Sequence, residues 1–497
     1  MKKTNHSDSY SHILKYTGLF GGVQIVGILM LVARNKLAAV ILGPQGMGLI
    51  ALFQSTIKLI SESTGFGLSM SAVKNISRDF DGGDHSRLHD TIRTVRTLSL
   101  LTAILGFIVC LVLSPFISRF TFSWQGHTLH FALLAPAVAL TAIIGGEMAV
   151  LKGVRQLKRI AAVTVYNVFA ALIISVPIYW FFGIAGIVPS LVLMVLAQAI
   201  ITMRCSYKLY PLSLSRDRGV IGRGFDMIRL GTAFLVAGLF ATGADFLIRS
   251  YINNVAQIET VGLYNAAFMM TMTYAGMVFT AMETDYFPRL SSVKGVGNHL
   301  NATVNRQIEV ALLLLAPMLA AFMVAMPILL PMLYSGKFLP ALGMTQVVVL
   351  AMYFRAIKLP IAYLPLAKGD SRLYMSLEGV YYIVFLALTI YLFDRYGLLG
   401  CGMAILALSV MDFLVQLVMM YAHYDYRLSG SALRYILIQI PLGIVTYVMT
   451  YINDGIMYWC INIPLVILSL VISIVILRRK TDAWNSIIQK FRKNNIE

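Results

Sequence analysis

The sequence predicts an all-α polytopic membrane protein in which about fourteen transmembrane helices form two six-helix lobes and a C-terminal pair. Hydrophobic residues fill 58% of the 497 positions, while charged residues fill only 12%, about half the charged share of a soluble domain. The apolar residues occur in runs long enough to cross a bilayer, and the cations cluster between alternate runs. These three observations exclude an ordinary soluble enzyme.

Fourteen apolar runs bounded by charged clusters are long enough to be spans, because about 20 apolar residues cross the hydrocarbon core. The first run follows a polar, basic start without an evident small-residue cleavage site, so we expect it to be retained. The candidate spans are approximately 13–33, 46–68, 97–117, 128–150, 160–182, 184–203, 230–252, 261–286, 308–333, 341–366, 373–393, 398–421, 433–452 and 456–477.

The cations outside the spans predict the orientation. If the N-terminus is cytoplasmic, 31 Lys and Arg residues fall in cytoplasmic segments and three in the opposite loops, namely Arg119, Lys337 and Arg395. Cationic flanks are retained on the cytoplasmic side, so both termini are predicted to lie there. The cations that give the net charge of +18 then orient the protein in the membrane and attract anionic lipid headgroups. No nucleic-acid partner is needed to explain them, and none is expected.

The two halves of the chain resemble each other at an offset of 214 to 216 residues. Gly48-Leu49 falls on Gly262-Leu263, the turn 183–186 falls on 397–400, and Lys152-Gly153 falls on Lys368-Gly369. Each copy holds six spans, so both copies enter the bilayer in the same direction, around an axis along the membrane normal. We therefore expect a cleft between the two lobes.

The repeat sets the expected domain boundaries. Residues 1–210 form the N-terminal six-helix lobe, 211–228 a cytoplasmic linker and 229–425 the C-terminal six-helix lobe. The last two helices and a basic cytoplasmic tail occupy 426–497.

Charges within the spans are the candidate functional residues, because each costs about 2.5–3.5 kcal/mol at the bilayer centre on insertion scales. Lys58 with Glu62, and Asp245 with Arg249, are spaced i, i+4 and can each form an ion pair on their own helix or face a cavity. Arg34 has no acid on the first span, although it can reach water at the outer end.

Arg355 and Lys358 lie one helical turn apart on the tenth span, with no acid between 338 and 369. They need an anion, which is either a carboxylate of another helix or a ligand. An arginine binds phosphate through two parallel hydrogen bonds, so a phosphate-bearing substrate suits such a cleft. The carboxylates that are candidates for ion coupling or for structural ion pairs are Glu62, Glu147, Asp245, Glu283 and Asp412.

Other chemistry has little support in the sequence. No GxxxxGK[ST] motif or large soluble domain is present, so ATP hydrolysis is not expected. The four cysteines form no CxxC pair, and the spaced histidines lack further ligands. We expect no metal and no cofactor.

Several short motifs carry a family resemblance over about residues 10–425. They are LGPQGMGLIALFQS at 42–55, VGLYNAAF at 261–268, the Lys-Gly turns after the fourth and tenth spans, and GxxG at the start of the sixth and twelfth spans. With these motifs the chain resembles the polysaccharide transporters of the multidrug/oligosaccharidyl-lipid/polysaccharide (MOP) superfamily. It is most similar to Wzx-type O-antigen translocases, including the enterobacterial common antigen lipid flippase. Fourteen spans also occur in the related lipid II flippase.

The resemblance implies a flippase of lipopolysaccharide biosynthesis. Such a protein moves an undecaprenyl-pyrophosphate-linked oligosaccharide from the cytoplasmic to the outer leaflet of a bacterial inner membrane. It implies no enzymatic activity, a monomer, and a polysaccharide polymerase and chain-length machinery as partners. The candidate substrate-binding cations are Arg34, Lys58, Arg249, Arg355 and Lys358.

Two alternatives remain at this stage. A drug/cation antiporter of the same superfamily would favour an acidic cleft, and the first span has no buried carboxylate. A membrane glycosyltransferase or polymerase usually needs a sizeable outer loop or an acidic catalytic cluster, whereas most outer loops here are short.

Overall fold

The computed structural model describes residues 6–122, 126–215, 220–293, 295–452 and 455–480. All regular secondary structure in these ranges is helical, which confirms the predicted all-α polytopic membrane protein. Among the residues described, nine helical segments are long and apolar enough to cross a membrane. The helices are α1 (His6–Gly65), α2 (Leu68–Asp81), α3 (His85–Phe122), α4 (Thr128–Leu133), α5 (Ala135–Gly153), α6 (Leu157–Phe182), α7 (Ile187–Tyr207), α8 (Val220–Val255), α9 (Ile258–Phe268), α10 (Gly276–Ser292), α11 (Asn298–Leu333), α12 (Leu342–Ala362), α13 (Leu364–Lys368), α14 (Ser371–Tyr424), α15 (Gly430–Met449) and α16 (Gly455–Lys480).

Three of the nine segments contain two predicted spans each, separated at glycines. Gly43 interrupts α1 with a φ of 65°, and Gly397 interrupts α14 with a φ of 55°. Gly183, with a φ of 54°, ends α6 before the short 3₁₀ turn that leads into α7. Positive φ values favour glycine because it has no Cβ. These glycines therefore mark the boundaries that the apolar pattern predicts between successive spans.

The first of two compact units, unit 1, comprises Met1–Asn265 with Met332–Lys337. One end of it holds a buried apolar cluster built from α2, α3 and α5. The charge-rich stretch that forms α2 follows the second predicted span and is not predicted as a separate helix. Leu68, Ala72 and Ile76 recur every four residues there and are buried, so α2 covers the cluster with one apolar face.

The second unit, unit 2, comprises Ala266–Pro331 with Phe338–Glu497. Helix α12 packs along α14, and buried tyrosines tie neighbouring helices together. The Tyr353 hydroxyl donates to the Ala316 carbonyl at 2.9 Å, and the Tyr286 hydroxyl donates to that of Pro360 at 2.8 Å. Both bonds satisfy a buried polar group in the apolar interior.

The C-terminal pair α15 and α16 is joined by a buried polar contact within unit 2. Ser469 Oγ donates to Gln439 Oε1 at 2.8 Å, and Gln439 Nε2 donates to Ser473 Oγ at 3.0 Å. Hydrogen bonds of this kind connect helices where lipid offers no partner. The predicted lobe boundaries stay a prediction. The N-terminus and the basic tail, both predicted to be cytoplasmic, lie outside the described residues.

Candidate functional site

A cavity of about 320 Å³ inside unit 1 brings together three of the predicted charged residues, Arg34, Lys58 and Glu62. Lys58 and Glu62 are on one face of α1 because they are four residues apart. Helices α6 and α7 complete the wall with the side-chain amides of Asn167 and Gln198. The cavity lining therefore combines two cations, one carboxylate and neutral hydrogen-bonding groups.

Neither cation of this cavity forms a close ion pair with a carboxylate among the described residues. Arg34 Nη2 donates to Asn35 Oδ1 at 3.3 Å, and Arg34 Nη1 lies 3.9 Å from Met194 Sδ. Lys58 is exposed and forms neither a hydrogen bond nor an ion pair with any of them. Lys58 and Glu62 therefore interact only at longer range, through their opposite charges, and form no close ion pair.

Three polar atoms that line the cavity are buried without a hydrogen-bond partner: Ser61 Oγ, Glu62 Oε2 and Asn167 Oδ1. A buried polar group left unsatisfied costs about 1–3 kcal/mol. Ser61 and Glu62 also line an adjacent hollow of about 360 Å³. Unsatisfied oxygens beside two cations are typical of a pocket that binds a polar ligand. Such a ligand carries both hydrogen-bond donors and anionic oxygens.

Asp245 and Arg249 of α8, also in unit 1, form the ion pair that their spacing predicts. Arg249 is only 6% exposed, and its Nη2 donates to Asn265 Oδ1 at 3.2 Å. Its guanidinium carbon lies 5.8 Å from the centroid of the Tyr264 ring. Unlike Arg34, this cation has a carboxylate partner on its own helix.

In unit 2, Lys358 of α12 forms an ion pair with Asp412 of α14. Its Nζ also lies 4.7 Å from the centroid of the Tyr381 ring, and Glu378 is close enough to interact with the same ammonium. A buried charge is stable only with a partner, and here the protein supplies it. Of the two anions that the sequence allows for Lys358, a carboxylate of another helix is therefore present in the fold.

Arg355, one helical turn earlier, has only neutral contacts. Its Nη1 donates to Met272 Sδ at 3.2 Å, and its guanidinium carbon lies 5.4 Å from the centroid of the Phe279 ring. No carboxylate whose side chain the structure describes pairs with it. Met272 belongs to the π-helical segment Met269–Ala275 between α9 and α10, a feature frequent at functional sites. The sequence gives no signal for this segment beyond its many methionines.

Glu147 of α5 forms a buried ion pair with Arg96 of α3, one of the 31 cations that the sequence predicts to be cytoplasmic. Arg96 Nε lies 2.9 Å from Glu147 Oε1, and Nη2 lies 3.2 Å from Oε2. Arg96 also donates to the carbonyl oxygens of Tyr210 at 2.9 Å and Pro211 at 2.8 Å, beyond the end of α7. Glu147 thus stabilises unit 1. The side chain of Glu283 lies outside the described part of the structure.

Comparison with known sequences identifies one family. A sequence profile of the family described as "Polysaccharide biosynthesis protein" matches residues 37–342, which is more than half of the chain. A comparison with curated proteins finds no match.

Three solved structures share the fold. The lipid II flippase MurJ, in an inward closed conformation, has a TM-score of 0.69 at 13% identity, covering 93% of this chain and 99% of its own. An inward-facing multidrug resistance MATE family transporter of the MOP superfamily has a TM-score of 0.66 at 15% identity, covering 80% and 95%. The MATE multidrug transporter DinF-BH has a TM-score of 0.61 at 16% identity, covering 82% and 95%. These likenesses confirm the predicted fold.

Proposed function

Because the chain belongs to the polysaccharide biosynthesis protein family, we propose that it is a flippase for an undecaprenyl-pyrophosphate-linked oligosaccharide. It moves an O-antigen or related repeat unit from the cytoplasmic to the outer leaflet of a bacterial inner membrane by alternating access. The cation distribution between the spans supports cytoplasmic termini. A polysaccharide polymerase and chain-length machinery would receive the flipped product.

One observation carries the proposal: Arg34, Lys58 and Arg355 lie within predicted spans or directly beside one, and none of them forms a close ion pair with a carboxylate among the described residues. Each such charge is costly in the hydrocarbon core. A pyrophosphate group carries negative charge that would neutralise the cations of the unit 1 cavity, and guanidinium groups bind its oxygens through paired hydrogen bonds. The unsatisfied oxygens of the unit 1 cavity would accept hydrogen bonds from sugar hydroxyls.

A second candidate function is a drug/cation antiporter of the same superfamily. The buried, unsatisfied Glu62 Oε2 favours it, because a carboxylate of this kind can bind a proton or a cation. The excess of cations over acids in the same cavity favours the flippase.

The decisive experiment replaces the three cations in a strain that lacks the chromosomal copy. The variant Arg34→Ala/Lys58→Ala/Arg355→Ala should abolish surface glycan and the flipping of labelled lipid-linked glycan in proteoliposomes, at wild-type membrane abundance. Arg395→Ala, which removes an exposed cation stacked on Tyr391, is the matched control and should have no effect. Normal flipping by the triple variant would contradict the proposal. Drug resistance without a glycan defect would favour the antiporter, and glycan elongation by the purified protein would favour a polymerase.

A further inference from the structure

A second hollow of about 520 Å³ lies at the end of unit 1 opposite the Arg96–Glu147 pair. It forms where the end of α3, the end of α8 and the start of α9 meet the part of α1 that follows Gly43. By the charge distribution of the sequence, this is the outer end of the spans.

Hydrogen bonds between α8 and α3 hold the wall of this hollow in place. Asn253 Nδ2 donates to the Thr121 carbonyl at 2.7 Å, and Asn254 Nδ2 donates to that of Phe120 at 2.6 Å. The amide nitrogens therefore fix the two helix ends to each other. Asn253 Oδ1 forms no hydrogen bond with the described residues and remains available to a ligand.

Further polar groups around the hollow have no partner in the described part of the chain. They are the side-chain amides of Gln45 and Gln257 and the carboxylate of Glu259. No Lys or Arg is among the described residues that line the hollow. Amides and a carboxylate without cations suit a neutral ligand rich in hydroxyl groups, and they are unsuited to a phosphate.

The hollow also has an apolar and aromatic side. The rings of Phe122 and His127 lie 4.2 Å apart between centroids, and His127 Nδ1 lies 3.3 Å from His130 Nδ1. Burial, and then the neighbouring His130, lower the pKa of His127, which keeps its imidazole neutral near pH 7. An apolar ring beside hydrogen-bonding groups matches the two characters of a pyranose, whose C–H face is apolar and whose rim carries hydroxyls.

We propose that this hollow binds neutral sugar residues of the lipid-linked glycan on the outer side of the membrane. The inference rests on the proposed flippase function and adds a carbohydrate subsite to it. From Lys58 in the unit 1 cavity to Gln45 at the hollow, α1 rises by about 20 Å at 1.5 Å per residue. An extended oligosaccharide covers such a distance, so the pyrophosphate and the distal sugars can have separate subsites in unit 1.

The experiment uses the full-length protein in nanodiscs and, as the probe, the host's own repeat-unit oligosaccharide, released from its lipid carrier by mild acid. Saturation-transfer NMR should detect contact with the sugar protons in the wild-type protein. The double variant Gln45→Ala/Gln257→Ala should weaken binding at least tenfold, and Glu259→Gln should weaken it less. The matched control is Gln156→Ala at the opposite end of unit 1, where the Gln156 side chain caps no helix; it should bind as the wild type does.

Variants of the unit 1 cavity, which contains Arg34 and Lys58, distinguish the sugar site from the proposed flippase function. Arg34→Ala/Lys58→Ala should still bind the free oligosaccharide, even though the proposed function requires it to lose flipping. The inference is overturned if wild-type protein does not bind the free glycan, if the Gln45→Ala/Gln257→Ala variant binds it normally, or if only Arg34→Ala/Lys58→Ala loses it. If the wild-type protein binds the free glycan but does not flip the lipid-linked glycan, the flippase function is overturned and the sugar-binding site stands.

Discussion

Gly48 and Gly262 pack directly against each other: a Cβ built on either glycine would lie 3.0 Å from the backbone nitrogen of the other. The Cβ on Gly48 would also overlap the Ile258 carbonyl, and the Cβ on Gly262 would overlap that of Pro44. The two glycines are 214 positions apart, which is the offset of the internal sequence repeat. A reciprocal contact between backbones explains why both positions hold the smallest residue.

Replacing Gly48 with alanine should therefore destabilise the protein, because its Cβ meets backbone atoms that cannot move aside as a side chain can. Overpacking of this kind typically costs about 1–3 kcal/mol. Gly48→Ala and Gly262→Ala should both lower the melting temperature and the monodisperse fraction in fluorescence-detected size exclusion. Gly27→Ala, where a Cβ would meet nothing within 4 Å, is the control. Equal melting temperatures for Gly48→Ala and Gly27→Ala would contradict this account.

Most of the fold could be predicted because lipid makes the sequence pattern simple. Apolar runs and the cations between them locate the spans, and glycines with positive φ occur between predicted spans, as at Gly183 and Gly397. Helix α2 was missed because its apolar face is narrow and lies within a charge-rich stretch. Charged residues mark the end of a bilayer-crossing apolar run, so a short amphipathic helix that is rich in charge is assigned to the loop.

The pairing of the candidate site residues could be predicted only where both partners share a helix turn. Asp245 and Arg249 form a close ion pair as their spacing allows, whereas Lys58 and Glu62 have the same spacing and interact only at longer range. The partner of Lys358, Asp412, is on another helix, so only the packing of α12 against α14 reveals it. The sequence spacing of two charged residues shows which ion pairs are possible. The packing of the helices determines which of these ion pairs form.

The Arg96–Glu147 pair should respond as a structural ion pair. Its side chains are 2% and 3% exposed, and removing one partner of such a pair typically costs about 3–5 kcal/mol. Glu147→Leu should sharply lower membrane abundance and melting temperature. Arg96→Leu/Glu147→Leu should recover part of both, because no unpaired charge remains. If Glu147→Leu were abundant and stable but inactive in flipping, Glu147 would instead be a coupling residue.

The Lys358–Asp412 pair predicts a similar double-mutant cycle in unit 2. Lys358→Ala and Asp412→Ala should each reduce abundance, since each leaves a buried charge without its partner. The double variant should recover abundance and retain flipping close to wild type, because the pair is already neutral without substrate. Arg355→Ala should keep abundance and lose flipping. A double variant that is abundant but inactive would show that Lys358 itself contacts the substrate.

Glu62 should tune how tightly the unit 1 cavity holds an anion. Among the described residues that line the cavity with Arg34 and Lys58, it is the only acid. The change Glu62→Gln preserves the side-chain shape and leaves the positive charges unopposed. Transport assays in proteoliposomes should then show a several-fold lower half-saturating concentration of lipid-linked glycan and a lower maximal rate, because tighter binding slows release. Asp90→Asn, which removes an acid whose side chain is 68% exposed, should change neither value. Unchanged glycan transport together with lost cation transport in Glu62→Gln would place this carboxylate in an antiporter instead.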